Sequence, residues 1–252
     1  MTAERIAEVE ARLRPAETLR TGHRGHATDL AGTAVGDEVW VLGGDGLVNE
    51  ALNGLRGGVS LGVVAAGGTN VLARALGPGE HRISVGRVNG RRFAFAAGIG
   101  VDSEVVRELD AERRGRRASD LRYTRAVAGK LRRGYEPRLE IQGMGRAAIL
   151  FVSNGPVYTY AGPLPLRFSP EARFGLGLDF AAPERVTSVS AAQLLAMVVA
   201  GRGIAKALRG HDLDRIEVRC DLPLPLQADG EDLGDVTEAV FEAERDAITV
   251  LV

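Results

Sequence analysis

EVWVLGGDGLVNEALNGL, residues 38–55, is the stretch that decides the fold. Its opening, Glu38–Leu42, is a short apolar run of the kind that forms a buried strand. The run stops at Gly43-Gly44-Asp45-Gly46. A helical pattern follows through Leu47, Val48, Ala51, Leu52 and Leu55 and ends at Gly57-Gly58. The same order then repeats. Leu61–Ala65 is a second strand run, Gly67-Gly68-Thr69-Asn70 a second glycine loop, and Val71–Leu76 a second helix before Gly77-Pro78. Strand, glycine loop and helix in succession, twice, predict an α/β unit with parallel strands. Both loops would lie at the C-terminal ends of strands, where open α/β sheets take ligands.

Ahead of this unit, Thr2–Leu13 reads as a helix, with apolar residues at Ile6, Val9 and Leu13. Behind it the character changes. Arg82–Val88, then Asn89-Gly90, then Arg91–Ala96 predicts a hairpin, because Asn-Gly suits the type I′ turn. Short strand candidates follow near Arg138–Gln142, Ile149–Ser153, Gly177–Ala181, Ile216–Cys220, Ala239–Ala243 and Ile248–Val252. A helical pattern covers Thr187–Leu208. Many short strands suggest an antiparallel β-sandwich as the second domain. The expected division is residues 1–82 for the α/β domain and 83–252 for the β-sandwich domain.

Composition bounds the answer. The chain has 252 residues, 45% hydrophobic and 26% charged, an ordinary globular balance. The formal net charge of −1 conceals an asymmetry. Arg113–Arg138 holds nine Arg and Lys130 against two acids, while Asp212–Asp246 holds twelve acids against three Arg. A basic amphipathic helix in the first segment, with Tyr123, Val127 and Leu131 on one face, suits an anionic membrane surface as well as plain solvation. Nucleic acid is not expected, since interleaved aromatics are lacking apart from Tyr123. A single cysteine, Cys220, allows no intrachain disulfide, and with no signal peptide evident the expected location is cytoplasmic, peripherally membrane-associated.

Gly43-Gly44-Asp45-Gly46 carries the strongest chemistry. Glycines let backbone N–H groups converge on phosphate oxygens at a helix N-terminus. Asp45 beside them would contact Mg²⁺ or accept a proton near the transferred phosphoryl group. The plainer reading is a tight turn with Asp45 as a helix cap. In the second loop Gly67, Gly68, Thr69 and Asn70 would add hydroxyl and amide contacts to phosphate or ribose. Thr and Asn also cap helices. Asp229-Gly230-Glu231 brings two carboxylates close in a polar turn, for a metal or an acceptor hydroxyl, or simply as a solvated acidic turn.

In order and spacing these blocks resemble the diacylglycerol kinase catalytic family, which includes bacterial lipid kinases and sphingosine kinases. The resemblance runs from about Thr21 to the C-terminus. It rests on Thr21-Gly22-His23-Arg24-Gly25-His26-Ala27, Gly43–Leu55, Leu61–Gly77, Gly98-Ile99-Gly100-Val101-Asp102, Asn154 with Tyr160-Ala161-Gly162, and Asp229-Gly230-Glu231. It implies an α/β nucleotide domain, a β-sandwich domain and a cleft between them. It also implies transfer of the γ-phosphoryl of ATP, with Mg²⁺, to the hydroxyl of a diacylglycerol-like or sphingoid lipid. By resemblance Thr21, Gly43, Gly44, Asp45, Gly46, Asn49, Glu50, Gly67, Gly68, Thr69 and Asn70 handle the nucleotide. Glu231 and Asp229 hold Mg²⁺ or deprotonate the acceptor, with Glu231 the favoured proton acceptor and Asp45 its rival.

The family also has a first strand and an N-P-x-x-G loop. Here Met1 leads straight into the helical pattern, so the expectation is either a late start or a genuine truncation, and a truncation would weaken the parallel sheet and the phosphate site together. Arg173–Asp179 lacks the paired acids of a second, structural Mg²⁺ site. The alternatives are a catalytically impaired nucleotide- or lipid-binding module of the same fold, and an NAD kinase, which shares Gly-Gly-Asp-Gly. A homodimer is compatible with everything in the sequence.

Overall fold

The computed structural model describes residues 2–112, 129–130, 134–187, 200, 202, 204 and 206–252. The N-terminal part follows the expected order. Helix α1 (Ala3–Leu13) is capped by Thr2, whose hydroxyl accepts from the Arg5 amide, and none of its residues is buried. Strands β1 (Glu38–Gly43) and β2 (Ser60–Ala65) pair in parallel, from Glu38 opposite Ser60 to Gly43 opposite Ala65. Helices α3 (Asp45–Gly54) and α4 (Val71–Leu76) each follow one of the glycine loops.

One helix of this unit was not expected. α2 (His26–Thr33) buries only Ala27 and Ala31. It crosses α3 so closely that a Cβ on Gly54 would stand 2.0 Å from the Thr28 carbonyl oxygen. Contact through small residues leaves no stripe of large apolar side chains for periodicity to detect.

The hairpin forms as β3 (Glu80–Val88) and β4 (Arg91–Phe93), turning at Asn89 and Gly90 with φ of 47° and 88°. Its second arm ends three residues earlier than expected. Ala96–Ile99 becomes β5, which pairs with β8 (Leu150–Ser153) instead. Helix α5 (Val101–Glu112) follows directly. β6 (Leu139–Ile141), β7 (Gly145–Ala147), β11 (Leu178–Ala182) and β12 (Leu208–Leu213) extend the antiparallel part. β9 (Thr159–Ala161) and β10 (Leu164–Leu166) form a separate two-stranded sheet.

The three strands expected near the C-terminus are two long ones. β13 (Arg215–Ala228) and β14 (Glu231–Leu251) form a hairpin turning at Asp229-Gly230. Pro223 falls in a gap of the register between Arg219 and Leu224, and Pro225 stands opposite Asp235 just before a second shift at Gln227. The far end of β14 pairs in parallel with β2, Val250 opposite Leu61. The last strand therefore joins the N-terminal α/β part to the large C-terminal antiparallel sheet. The expected boundary at residues 82 and 83 falls inside β3, and the twelve-stranded sheet runs across it.

Two apolar clusters fill the fold. One gathers Leu52, Leu61, Leu72 and Ile83 with Ile149 and Ile248; the other gathers Phe93, Ile99, Leu150, Phe180, Val218 and Phe241. Most of the expected helix at Thr187–Leu208 lies outside the described residues, and Leu208 itself opens β12. Most of the basic segment, residues 113–128 and 131–133, lies outside them too. Among the described residues no helix is long and apolar enough to cross a membrane.

Candidate active site

The two glycine loops meet backbone to backbone. A Cβ on Gly44 would lie 3.0 Å from the Gly67 Cα, and one on Gly67 would lie 2.5 Å from the Gly44 Cα. Gly43 sits against Leu47, and its carbonyl accepts from the Ala66 amide at 2.8 Å. Asn70, with φ of 51°, closes the second loop on itself. Its Oδ1 accepts from the Gly67 amide at 2.8 Å and its Nδ2 donates to the Gly67 carbonyl at 3.1 Å. These glycines are demanded by packing. Gly46 and Gly68 are not: an added Cβ at either meets nothing within 4 Å, and neither has a positive φ. They mark the side of each loop where the backbone can be approached from outside.

Asp45 opens α3 and aims its carboxyl across the gap at the start of α4. Its Oδ1 accepts from the Leu72 amide at 3.4 Å. Burial pushes its pKa above the ordinary carboxylate value, and hydrogen bonds from the amides of Val71, Leu72 and Asn70 pull the other way. A carboxyl held this way, beside two approachable loops, is placed to take up a proton.

The Asp229-Gly230-Glu231 turn splits the pair that sequence had joined. Asp229 is buried, with φ of 48°, and its carboxylate is filled by protein donors. Oδ1 accepts from the amides of Phe95 at 3.0 Å and Ala96 at 3.1 Å. Oδ2 accepts from Ala94 N at 2.6 Å and Asn49 Nδ2 at 2.8 Å. This capture also explains why the β3–β4 hairpin stops at Phe93: the next three amides turn to Asp229. From the other side Asn154 donates to the Ala94 carbonyl at 2.7 Å. Burial raises the Asp229 pKa to about 6 against these four hydrogen bonds. Asp229 thus clamps this turn to the β4–β5 connection, and its carboxylate is taken up by protein donors.

Asn49 and Glu50 are also engaged by the protein. Asn49 is buried and spends its amide on Asp229 and on the Arg92 carbonyl, while its Oδ1 accepts from Arg91 at 3.0 Å. It bridges α3 to the β13–β14 turn. Glu50 accepts from the Ala27 amide at 3.2 Å and so caps α2.

Glu231 lies in the opening. Its Oε1 accepts from Arg24 Nη2 at 2.8 Å, and its Oε2 pairs with Arg91. The Mg²⁺ site expected of Asp229 with Glu231 does not assemble: one carboxylate is enclosed and the other faces two guanidinium groups. Among the described residues no three His, Cys, Asp or Glu side chains gather as a metal site. Beside Arg24, the His23 and His26 rings stack at 4.7 Å. Thr21 is exposed just before Gly22, whose amide donates to His26 Nδ1 at 3.0 Å. Sequence reasoning gave Arg24, Arg91 and Arg74 no role; an arginine shows its partner only once a distant acid or carbonyl is brought to it.

With this geometry in place, the likeness to known proteins can be read. Residues 2–92 match the family model of the diacylglycerol kinase catalytic domain. Over that stretch the chain is similar to the diacylglycerol kinase catalytic family. A diacylglycerol kinase of Bacillus subtilis (strain 168) is 34% identical over 113 residues, covering 38% of this chain and 37% of that relative. The aligned stretch is therefore little more than a third of the curated relative's length. Among solved structures, a candidate diacylglycerol kinase from Bacillus anthracis str. Sterne superposes with a TM-score of 0.70 at 21% identity, over 98% of this chain and 88% of that one. A further diacylglycerol kinase structure from the same source gives 0.66 at 22% identity, over 92% and 83%. At such identities the superpositions speak for the fold. It is the two-part architecture expected, an α/β part and a large C-terminal sheet.

Proposed function

We propose that the chain transfers the γ-phosphoryl group of ATP to the hydroxyl of a diacylglycerol-like or sphingoid lipid. The observation that carries this reading is the pair of open glycines, Gly46 and Gly68, on loops that meet beside Asp45. Neither packing nor backbone conformation requires glycine there, and the bare backbone leaves room for close approach by a ligand. A triphosphate at the ends of two parallel strands has the shape and charge that such amides recognise. The family match adds the reaction class.

In this reading residues 1–82 carry the nucleotide side and 83–252 the acceptor side. Gly44, Gly46, Gly68 and Thr69 line the phosphates. Asp45 accepts the hydroxyl proton as the acceptor oxygen bonds to phosphorus and the bond to the leaving diphosphate breaks. Glu231, held by Arg24 and Arg91, shapes the rim. The donor set suits an Mg²⁺ bound chiefly by phosphates and water, as this ion prefers, with Asp45 the one carboxylate at the loops. When bound, that ion neutralises phosphate charge.

The direct test is purified chain with Mg-ATP labelled at the γ position and mixed lipids. A labelled lipid is expected, and Asp45→Asn should lower the rate on the order of 100- to 10,000-fold. No transfer to any glycerolipid or sphingoid base, from chain that binds Mg-ATP by calorimetry, would leave a binding module instead. The basic segment from Arg113 to Arg138 is proposed to meet anionic lipid. Liposome binding that ignores salt, or neutralisation of Arg132 and Arg133, would defeat that part.

A further inference from the structure

The small β9–β10 sheet lies apart from the main one and pairs Ala161 with Leu164, Tyr160 with Pro165 and Thr159 with Leu166. Gly162, with φ of 63°, forms its tip. Tyr160 is buried, whereas Leu164 is half exposed. Nothing in the proposed transfer uses this hairpin, although Tyr160-Ala161-Gly162 is one of the blocks that the sequence singles out.

The Arg74 side chain connects it to the second glycine loop. Arg74 projects from α4, and its guanidinium makes three contacts. Nη1 donates to the Thr69 carbonyl at 3.2 Å, Nη2 donates to the Gly162 carbonyl at 3.0 Å, and Cζ stands 3.5 Å from the centre of the Tyr160 ring. The planar fork of arginine suits two carbonyls and an aromatic face at once; a lysine ammonium does not reproduce it.

The Thr69 contact has a consequence through peptide geometry. The Thr69–Asn70 peptide bond is trans, since the chain contains no cis bond among the described residues. In a trans peptide the C=O and the following N–H point in opposite directions. Drawing the Thr69 carbonyl toward Arg74 therefore turns the Asn70 N–H the other way. That amide lies in the same first turn of α4 as the Leu72 amide, which donates to Asp45 Oδ1 at 3.4 Å. The chain of contacts runs from the hairpin tip, through Arg74 and one rigid peptide plane, to the carboxyl at the loops.

We propose that Arg74 is a positioning residue, which ties the β9–β10 hairpin of the acceptor side to the Gly67–Asn70 loop and so sets the orientation of Asp45. This rests on the reading of Asp45 as the proton acceptor. Arg74 itself touches neither nucleotide nor acceptor. Its loss releases the peptide plane and the hairpin together.

Arg74→Gln, Arg74→Lys and Tyr160→Phe test this, with two independent readouts. In the kinetic one, Arg74→Gln should lower kcat roughly 10- to 100-fold, as small misplacements of reacting groups do. It should also move the acid limb of the pH–kcat profile to higher pH, because the first turn of α4, which donates to Asp45, is loosened. Arg74→Lys should recover part of the rate, and Tyr160→Phe, which keeps the ring, should match the unaltered chain. In the second readout, amide hydrogen exchange in the ligand-free chain, Arg74→Gln should speed exchange at residues 67–72 and 159–166 together. Faster exchange in only one of the two segments, or in neither, overturns the coupling. So does a wild-type pH profile in an active Arg74→Gln enzyme. If the unaltered chain transfers no phosphoryl group, the reading of function fails, and the exchange result alone decides whether Arg74 couples hairpin and loop.

Discussion

Asp229 makes the fold's stability depend on pH in a direction opposite to that of most acids. Its pKa is raised by burial from 3.8 to about 6 in the folded chain. The native state therefore holds a proton that the unfolded state has already released, so this group lowers stability as pH rises. A shift of about two units, at ~1.4 kcal/mol each, makes the full effect ~3 kcal/mol, absent in strong acid and complete above about pH 7. About half of it, ~1.4 kcal/mol, falls between pH 5 and pH 8. Asp229→Asn removes the titration and keeps the shape. The Asn carbonyl can still accept from two amides, but its NH₂ meets the other two donors. Two buried donors left unpaired cost roughly 1–3 kcal/mol each. The variant should thus be clearly less stable than wild type near pH 4, and the gap should narrow by about 2.4 kcal/mol toward pH 8. Urea unfolding of both proteins across this range, followed by circular dichroism, measures the gap directly. A gap that stays constant or widens with pH would refute the assignment of a raised pKa to this carboxyl.

The glycine loops separate packing from binding. Gly67→Ala should destabilise the chain by roughly 1–3 kcal/mol, since its Cβ would press on the Gly44 backbone, and thermal melting will show it. Gly46→Ala, with open space around it inside a helix, should keep or slightly raise the melting temperature yet weaken Mg-ATP binding in calorimetry. On the far side, His211 Nδ1 pairs with the buried Asp179 at 2.9 Å, and that hydrogen bond raises the His211 pKa, with Glu171 and Asp212 adding attraction. The stability it contributes is present below the ordinary histidine value and is lost as pH rises through the folded one. His211→Asn should remove that part of the pH dependence of unfolding. Glu231→Gln should leave the melting temperature within about 1 kcal/mol equivalent of wild type, because its arginine partners are partly exposed, while altering turnover.

Local patterning was enough for the elements whose neighbours lie close in sequence. The β1–loop–α3 and β2–loop–α4 units read correctly because apolar runs, glycine breaks and helical spacing are all properties of short windows. The Asn89-Gly90 turn read correctly for the same reason. α2 escaped because Ala27, Ala31 and Gly32 make a helix interface without bulk. The long β13–β14 pair was read as fragments because register shifts at Leu224 and Gln227, and at Ile248, interrupt the two-residue alternation.

Sequence by itself determined the α/β unit, the two glycine loops, the place of Asp45 beside them and the family's order of motifs. The tertiary structure decided what each polar side chain meets. Asp229 and Glu231 stand two residues apart, yet one is enclosed by four donors and the other opens onto Arg24 and Arg91. Asn49 and Glu50 are consecutive and serve different elements, the β13–β14 turn and α2. The reason is physical. Backbone preference and apolar periodicity act over a few residues, while burial and hydrogen-bond partners are set by segments from 23 to 207 positions away in the chain, and only folding brings those segments together.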